Sequence, residues 1–438
     1  MHSDHRTARY RKNSLTLAGA AAMGTGVMIG AGIFALTGQI AQYAGSLFPL
    51  AFLVAAVVSA FSAYTYIKVS NKYPSAGGIA MILAKAYGPV TITGGAALLM
   101  AFSMIINESL VARTFATYAL QLHGGEPAPI LVPLLALGLI VTAFVVNLAG
   151  NRFVGGLSKV AAVAKIGGIL VFAVVALAAA GFRFEPGGVA AGGASTLTGF
   201  LAGVALAILA YKGFTTITNS GAEIRDPHRN VGRAIMIALA ICLVVYMLVT
   251  WAVGSTLSIE EIVAARDYAL AEAARPAVGE AGVWFTVLLA IVATASGVIA
   301  SIFAVSRMIA MLTDMKLVPH SHFGMPGHIQ QHTLVYTVVA AGTLAAFFDL
   351  GRIASMGAIF YLVMDIIIHW GVFHRMRTDV GANPVILVAA ILLDLTVLGA
   401  FTALKLAEDP FIVALSVGGI GAIFVFEKFY LTRRSRPS

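Results

Sequence analysis

From Asn13 to Ile67 the chain carries no Asp, Glu, Lys or Arg, and long apolar runs recur to its end. About 20 consecutive apolar residues suffice to cross a bilayer as a helix. Such runs, divided by charged or Pro/Gly-rich breaks, fall near 15–44, 47–69, 89–121, 129–149, 157–181, 197–222, 231–256, 281–312, 332–349, 354–374, 383–404 and 409–430. The pattern predicts an all-α polytopic membrane protein with twelve transmembrane helices. The ninth run is the weakest, being short and uncertain in its edge at Phe348.

Two of these runs are interrupted. The first contains Met23–Phe34, MGTGVMIGAGIF, with glycines at 24, 26, 30 and 32. Each glycine weakens a helix interior by about 1 kcal/mol relative to alanine. As an unbroken helix at about 1.5 Å per residue, Leu15 to Ala44 would extend about 45 Å, against a hydrocarbon core about 30 Å thick. Tilt absorbs part of that excess and a non-helical break would absorb more. The sixth run passes from apolar Phe200–Ala210 into Tyr211-Lys212-Gly213-Phe214 and then a polar stretch ending at Glu223. A lysine at membrane depth needs a cavity or a partner. Interrupted spans in matching places of two halves point to a binding site at the interface of an inverted repeat. Glycines four apart also serve close helix packing, so for the first run alone both readings stand.

An even number of spans puts both termini on one side. Most of the 28 Lys and Arg, including Arg6, Arg9, Lys68, Lys85, Arg225, Arg229, Arg307, Arg375 and Arg433, fall in loops on the side of the N-terminus, whereas the acids between Glu260 and Glu280 fall opposite. The positive-inside rule then makes both termini cytoplasmic. The expected organisation is a tail at 1–14, a first repeat at 15–181, a second at 197–374, two further helices at 383–430 and a tail at 431–438.

Composition agrees: 59% of residues are hydrophobic, 11% charged, and mean hydropathy is +0.92. The net charge of +9 is spread over short loops beside apolar runs, which excludes a nucleic-acid partner in favour of membrane topology. Cys242 is the only cysteine, so neither an intrachain disulfide nor a Cys metal cluster is possible. The short basic N-terminus lacks a small-residue cleavage signal, and the first span is expected to remain. His320, His322, His328 and His332 lie near prolines and glycines without metal-ligand spacing, and read as solvated loop residues. No metal and no cofactor are expected. There is no intramembrane His pair with acids, no nucleotide-binding loop and no G-x-S-x-G, so an enzyme is not expected.

Four patches carry a family resemblance. Together with the first-span glycine motif they are Tyr73-Pro74-Ser75-Ala76-Gly77-Gly78 with Ala86-Tyr87-Gly88-Pro89, then AYKGF followed by AEIRDPHRNVGRAI, then Ser306-Arg307-Met308 with Asp314 and Pro319. In this order and spacing they resemble the amino acid–polyamine–organocation (APC) transporters. The resemblance implies the five-plus-five inverted-repeat, LeuT-type fold with two extra C-terminal helices. It implies secondary transport of an amino acid or related amine by alternating access, sodium-independent and often proton-linked or exchanging. The location implied is the plasma (inner) membrane. The partners are an amino acid, protons and the bilayer; oligomeric state is open.

The residues can then be given roles. A half-helix starting near Gly30 would aim N–H groups at the substrate carboxylate, making Ile29, Gly30, Ala31, Gly32 and Ile33 one half of the site. Ala210, Tyr211, Lys212, Gly213 and Phe214 form the other, with free carbonyls for the α-ammonium. By the resemblance, Lys165 takes the place of a sodium ion used by sodium-coupled relatives of the fold. It would bridge the first span near Gly26 to the eighth near Ser296 or Ser301, either as a fixed tether or as a proton carrier. Lys212 is open among three readings: a pocket cation, a partner of Glu108, or a vestibule charge. As a pocket cation it would face an acidic substrate side chain or a neighbouring carboxylate and disfavour cationic substrates; a neutral amino acid is the substrate expected. Glu108 is a second candidate proton carrier, Glu223 with Arg225 and Arg229 a gate or a cap, and Asp365 and Asp394 structural partners of polar groups. The rival functions are an exchanger without net proton coupling, a channel-like pore and a transporter-shaped sensor.

Overall fold

The computed structural model describes residues 13–75, 77–123, 128–149, 151–182, 196–315, 317–318 and 329–434. Among them every regular element is helical, and a lone backbone bridge joins Leu15 to Ile224. In chain order the helices are α1 (Leu17–Met28), α2 (Phe34–Ala44), α3 (Phe48–Lys72), α4 (Gly78–Tyr87), α5 (Thr91–Leu120), α6 (Leu131–Ala149), α7 (Asn151–Ala179), α8 (Leu197–Tyr211) and α9 (Phe214–Asn219). They continue as α10 (Pro227–Thr256), α11 (Ile259–Ala264), α12 (Ala269–Val278), α13 (Glu280–Asp314), α14 (Ile329–Phe347), α15 (Leu350–Gly371), α16 (Pro384–Glu408) and α17 (Pro410–Arg434).

Nine stretches among the described residues are long and apolar enough to cross a membrane. One of them, Phe34–Lys72, holds both α2 and α3 and is bent at Gly45, whose φ of 56° suits a residue without a Cβ. Large apolar side chains such as Leu134, Val145, Leu392, Leu406 and Phe429 are exposed on α6, α16 and α17. On helices of this length such exposure is what a lipid-facing perimeter requires.

The neighbours of each helix follow a rule. α2 packs on α8, α3 on α10, α5 on α13 and α6 on α14. Each pair joins helices from corresponding places in residues 15–181 and 197–374. The cross-contacts also come in exchanged pairs: α1 with α10 answers α8 with α3, and α7 with α13 answers α15 with α5. The two interrupted spans begin alike, too. Thr16 caps α1 by accepting from the Gly19 N–H at 3.1 Å, and Thr196 caps α8 by accepting from the Gly199 N–H at 3.0 Å. Both starts read Thr-Leu-x-Gly, and each cap removes one orphan donor at a helix N-terminus.

The first span departs from expectation at its break. It stays helical throughout: Ile29–Ile33 form a π turn between α1 and α2, and no unwound segment starts a half-helix. A π turn widens the ladder locally and leaves backbone groups to be satisfied by others. The Thr37 hydroxyl donates to the Ile33 carbonyl at 2.6 Å and the Tyr118 hydroxyl to the Phe34 carbonyl at 3.3 Å. A second correction concerns His332, which is buried on α14 rather than solvated in a loop; His320, His322 and His328 lie outside the described residues.

Candidate functional site

The glycines of the first span bring other groups close. A Cβ at Gly30 would lie 3.2 Å from the Lys165 Nζ and 3.2 Å from the Ala293 carbonyl oxygen. The amine of α7 thus reaches the π turn at the point where α13 meets it, one helical turn beyond Gly26, and Lys165 itself is 4% exposed. Ser296 turns its hydroxyl back to the Val292 carbonyl at 2.6 Å, whereas Ser301 donates to Glu108 Oε1 at 3.1 Å. The two serines therefore part company: Ser296 stays within α13 and Ser301 serves Glu108.

At Gly32 the space is taken by the sixth span. A Cβ there would lie 2.6 Å from the Ala210 Cβ and 2.7 Å from its Cα. Farther along the same contact, a Cβ at Gly203 would meet the Ala44 Cβ at 2.9 Å and one at Gly199 the Tyr43 carbonyl at 2.8 Å. This glycine seam closes α2 against α8. Ile29, Gly30, Gly32, Ile33, Ala210, Tyr211 and Phe214 are all buried in it or beside it; the Ala31 side chain lies outside the described residues.

The sixth span breaks at Lys212–Gly213 by tight turns, with Thr215 N–H donating to the Lys212 carbonyl at 3.0 Å and Thr216 N–H to the Gly213 carbonyl at 3.1 Å. Two of the carbonyls expected to be free for an ammonium are engaged: Ala210's by the Tyr246 hydroxyl at 2.9 Å, and Lys212's also by the Thr215 hydroxyl at 2.8 Å. Gly213 allows close approach to the first span, where a Cβ would meet Met28 Cγ at 2.7 Å.

Below this break the protein is hollow. A cavity of about 280 Å³ runs between α1, α5, α9 and α13, at the lower end of small-molecule pockets, about 300–1,000 Å³. Lys212 and Gly213 form its head. Met23, Met100, Met104, Met308 and Met311 give it soft apolar walls, and Asn107, Thr216, Asn219 and Ser301 supply polar points. Glu223 and Arg307 line its far end, paired at 3.3 Å. The Glu223 backbone carbonyl accepts from the Leu15 N–H, so this end faces the side on which α1 begins.

Lys212 is 9% exposed, and its Nζ donates to the Ser103 carbonyl at 3.3 Å and hydroxyl at 3.4 Å. Glu108 stands near enough to feel its charge, but no direct ion pair between them forms among the described residues. The Glu108 Oε2 has no hydrogen bond. The partner of Glu223 is Arg307; Arg225 instead donates to the Asn13 carbonyl at 3.1 Å and Arg229 is exposed. Arg307 sat within a motif already noted, but nothing in the spacing linked it to Glu223. Its position on the hollow's side of α13 emerges only from the packing.

The far side of the interrupted span is capped by the segment between α11 and α12. Gly38 of α2 packs directly on the Arg266 backbone, and Gln39 Nε2 donates to Asp267 Oδ1 at 2.6 Å. Burial in this cap holds the Asp267 carboxyl above its ordinary range, against the pull of Arg266 and the Gln39 bond.

With this arrangement in view, the comparisons are decisive. The Amino acid permease family model matches residues 15–425. The chain belongs to the amino acid permease family. Among its relatives, the inner membrane transport protein YbaT of Escherichia coli is 28% identical over 380 residues, covering 86% of this chain and 87% of that one. A transporter of Mycobacterium tuberculosis is 30% identical over 443 residues, covering 98% and 94%. The vacuolar cationic amino acid transporter 2 of Arabidopsis thaliana is 26% identical, covering 80% of this chain and 57% of its own length. The permease is thus a multi-pass membrane transporter of amino acids and not an enzyme.

Proposed function

We propose that this permease is a secondary active transporter that moves a neutral amino acid by alternating access, without sodium and with proton coupling. The observation that carries the reading is the hollow headed by the Lys212–Gly213 break, which reaches the Glu223–Arg307 pair on the side where α1 begins, while the Gly32–Ala210 seam packs the other half of the span tightly. We read it as the inward-facing arrangement, with both termini cytoplasmic in the inner membrane. The exchanged helix contacts and the paired Thr-Leu-x-Gly starts support a reading as twelve passes, two five-helix inverted repeats plus two C-terminal helices.

In this reading the substrate sits at the head of the hollow, its apolar side chain against the methionines. Met side chains adapt to varied apolar shapes. The Lys212 ammonium, held by Ser103 rather than by a carboxylate, disfavours a second cation in the site. Recognition of the carboxylate by Ile29, Gly30, Ala31, Gly32 and Ile33, and of the ammonium near Ala210–Phe214, requires the seam to part, as it would when the other side opens. Lys165 is the pivot between the π turn and α13, in the place a metal cation would otherwise bind, and Gly26, Ser296, Ser301 and Glu108 complete the coupling region. Glu223 and Arg307 gate the exit, flanked by Arg225 and Arg229.

Purified protein in liposomes tests this. The expected result is uptake of a neutral amino acid without sodium, faster with an inward proton gradient and competed by other neutral amino acids more than by arginine or polyamines. A strict sodium requirement would sink the role given to Lys165. Counterflow with no response to a proton gradient would establish an exchanger instead.

A further inference from the structure

Away from the hollow, α3, α15 and α16 enclose a second group of ionisable side chains. His369 Nε2 lies 3.4 Å from Asp365 Oδ2 and 3.4 Å from Asp394 Oδ2. All three residues are at most 1% exposed. The two carboxylates are not equivalent. Asp365 accepts from the Ser62 hydroxyl at 2.6 Å on one oxygen and from the Tyr66 hydroxyl at 2.5 Å on the other. Asp394 Oδ2 has no hydrogen bond, only the imidazole at 3.4 Å. Two carboxylates around one imidazole leave excess negative charge deep in the bundle even if the imidazole is charged, which is costly without further compensation. A single added proton neutralises the group, and the carboxyl without donors is where it is held at least cost.

We propose that Asp394 carries an exchangeable proton in the Asp365–His369–Asp394 cluster, a proton site separate from Lys165 and Glu108. The groups facing it are Asp365, His369 and Tyr361 of α15 and Tyr66 of α3; α8, α17 and the turn Val372–Met376 with His374 and Arg375, which also pack on α16, bring no ionisable group into electrostatic contact with Asp394 among the described residues. Two aromatic contacts tie the cluster to the broken sixth span. Tyr66, which holds Asp365, stands edge-on to Phe214 at 5.3 Å, and Lys212 Nζ lies 5.8 Å from the Tyr361 ring centroid. Loss of the proton from Asp394 to water restores the excess charge, which attracts the Tyr66 and Tyr361 hydroxyls and the Lys212 ammonium. The break at Lys212–Phe214 therefore senses the protonation of α16. This coupling rests on the transporter reading; the proton itself does not.

The experiment is an acid-minus-alkaline infrared difference spectrum of the full-length protein in lipid, paired with the pH profile of uptake. The expected result is a buried carboxylic acid carbonyl band that disappears at alkaline pH, is lost in Asp394→Asn and persists in Glu108→Gln, with Asp394→Glu retaining a shifted band as the folded control. Asp394→Asn should also flatten the pH dependence of uptake at least several-fold. A band unchanged in Asp394→Asn, or no titrating band in the wild type, overturns the proton site. Stoichiometric metal in the purified protein that is lost in His369→Ala overturns it in favour of a divalent cation. A band that behaves as expected while uptake is absent retains the proton site and removes the transport reading.

Discussion

The two ends of the interrupted first span are built on opposite plans. Around α2 and the π turn before it, glycines pack on backbone, Gly32 on Ala210, Gly38 on Arg266 and Gly199 on Tyr43, and Gly203 packs on the Ala44 Cβ. Around α1 the same span faces a hollow walled by flexible methionines and hydroxyl groups and lined at one end by a mostly buried ion pair. Even the glycines differ, since the nearest atoms to a Cβ at Gly24 belong to side chains, Ile217 Cδ1 at 2.5 Å and Cγ1 at 2.8 Å, with no backbone atom among them. Close backbone contact is all or none, because interiors are packed too densely to deform gradually. Side chains on rotatable stems and one ion pair yield in small steps. In the proposed transport cycle the seam would be the element with two discrete states and the hollow the compliant one.

The largest effect should come from filling the seam. Gly32→Val places new atoms against Ala210 backbone, and overpacking of this kind costs about 1–3 kcal/mol. The expected outcome is a lowered melting temperature and near-complete loss of uptake, whereas Gly24→Ala, against Ile217, keeps most of both. Equal losses at the two positions would erase the contrast between the ends. Next is Lys165→Ala, which removes the amine from the meeting point of the π turn and α13. Uptake should fall at least about tenfold, equivalent to about 1.4 kcal/mol, or lose its pH response; normal rate with normal pH response would remove Lys165 from the mechanism.

A smaller effect is expected at the exit. Glu223→Gln or Arg307→Ala breaks a partly exposed pair worth about 1 kcal/mol at most, changing the accessibility of the hollow a few-fold as read by thiol labelling. Exchanging the two charges should restore it in part. The smallest concerns Asp379, in the connection before α16. The Lys72 and Tyr73 side chains each donate to its carboxylate at 2.6 Å and hold its pKa below the usual range. The stability this gives is present above the unfolded carboxylate pKa and is lost as pH falls through the folded one. Asp379→Asn should remove that acid-side slope from a melting-temperature profile; an unchanged slope would show that the contact is idle.

The all-helical, many-span character was legible because apolar runs bounded by charge are the strongest signal a sequence carries, and nine such spans stand among the described residues. The break at Lys212 was legible for a related reason: a lysine followed by glycine cannot be ignored at membrane depth. The glycines of Met23–Phe34 misled in one respect. A missing Cβ signals either unusual dihedrals or close approach, and sequence does not distinguish them; here Gly30 and Gly32 serve approach to Lys165 and Ala210 inside a continuous helix. The Glu223–Arg307 pair and the methionine walls depend on helix rotation, which twelve nearly uniform apolar runs do not encode. The Asp365–His369 spacing, four residues apart in an apolar run, was a signal within reach, but Asp394 and Tyr66 join it only through packing. The Thr-Leu-x-Gly starts are too short to be noticed until both cap the same kind of span.

The most direct test of the account is sided labelling of the hollow. Cys242, the only native cysteine, is buried, so Thr216→Cys supplies a single reactive thiol on the cavity wall. A membrane-impermeant reagent is predicted to label it from the face that bears the N-terminus, and a saturating transported amino acid to slow that labelling. Equal labelling from both faces, or a rate indifferent to every amino acid, would contradict it.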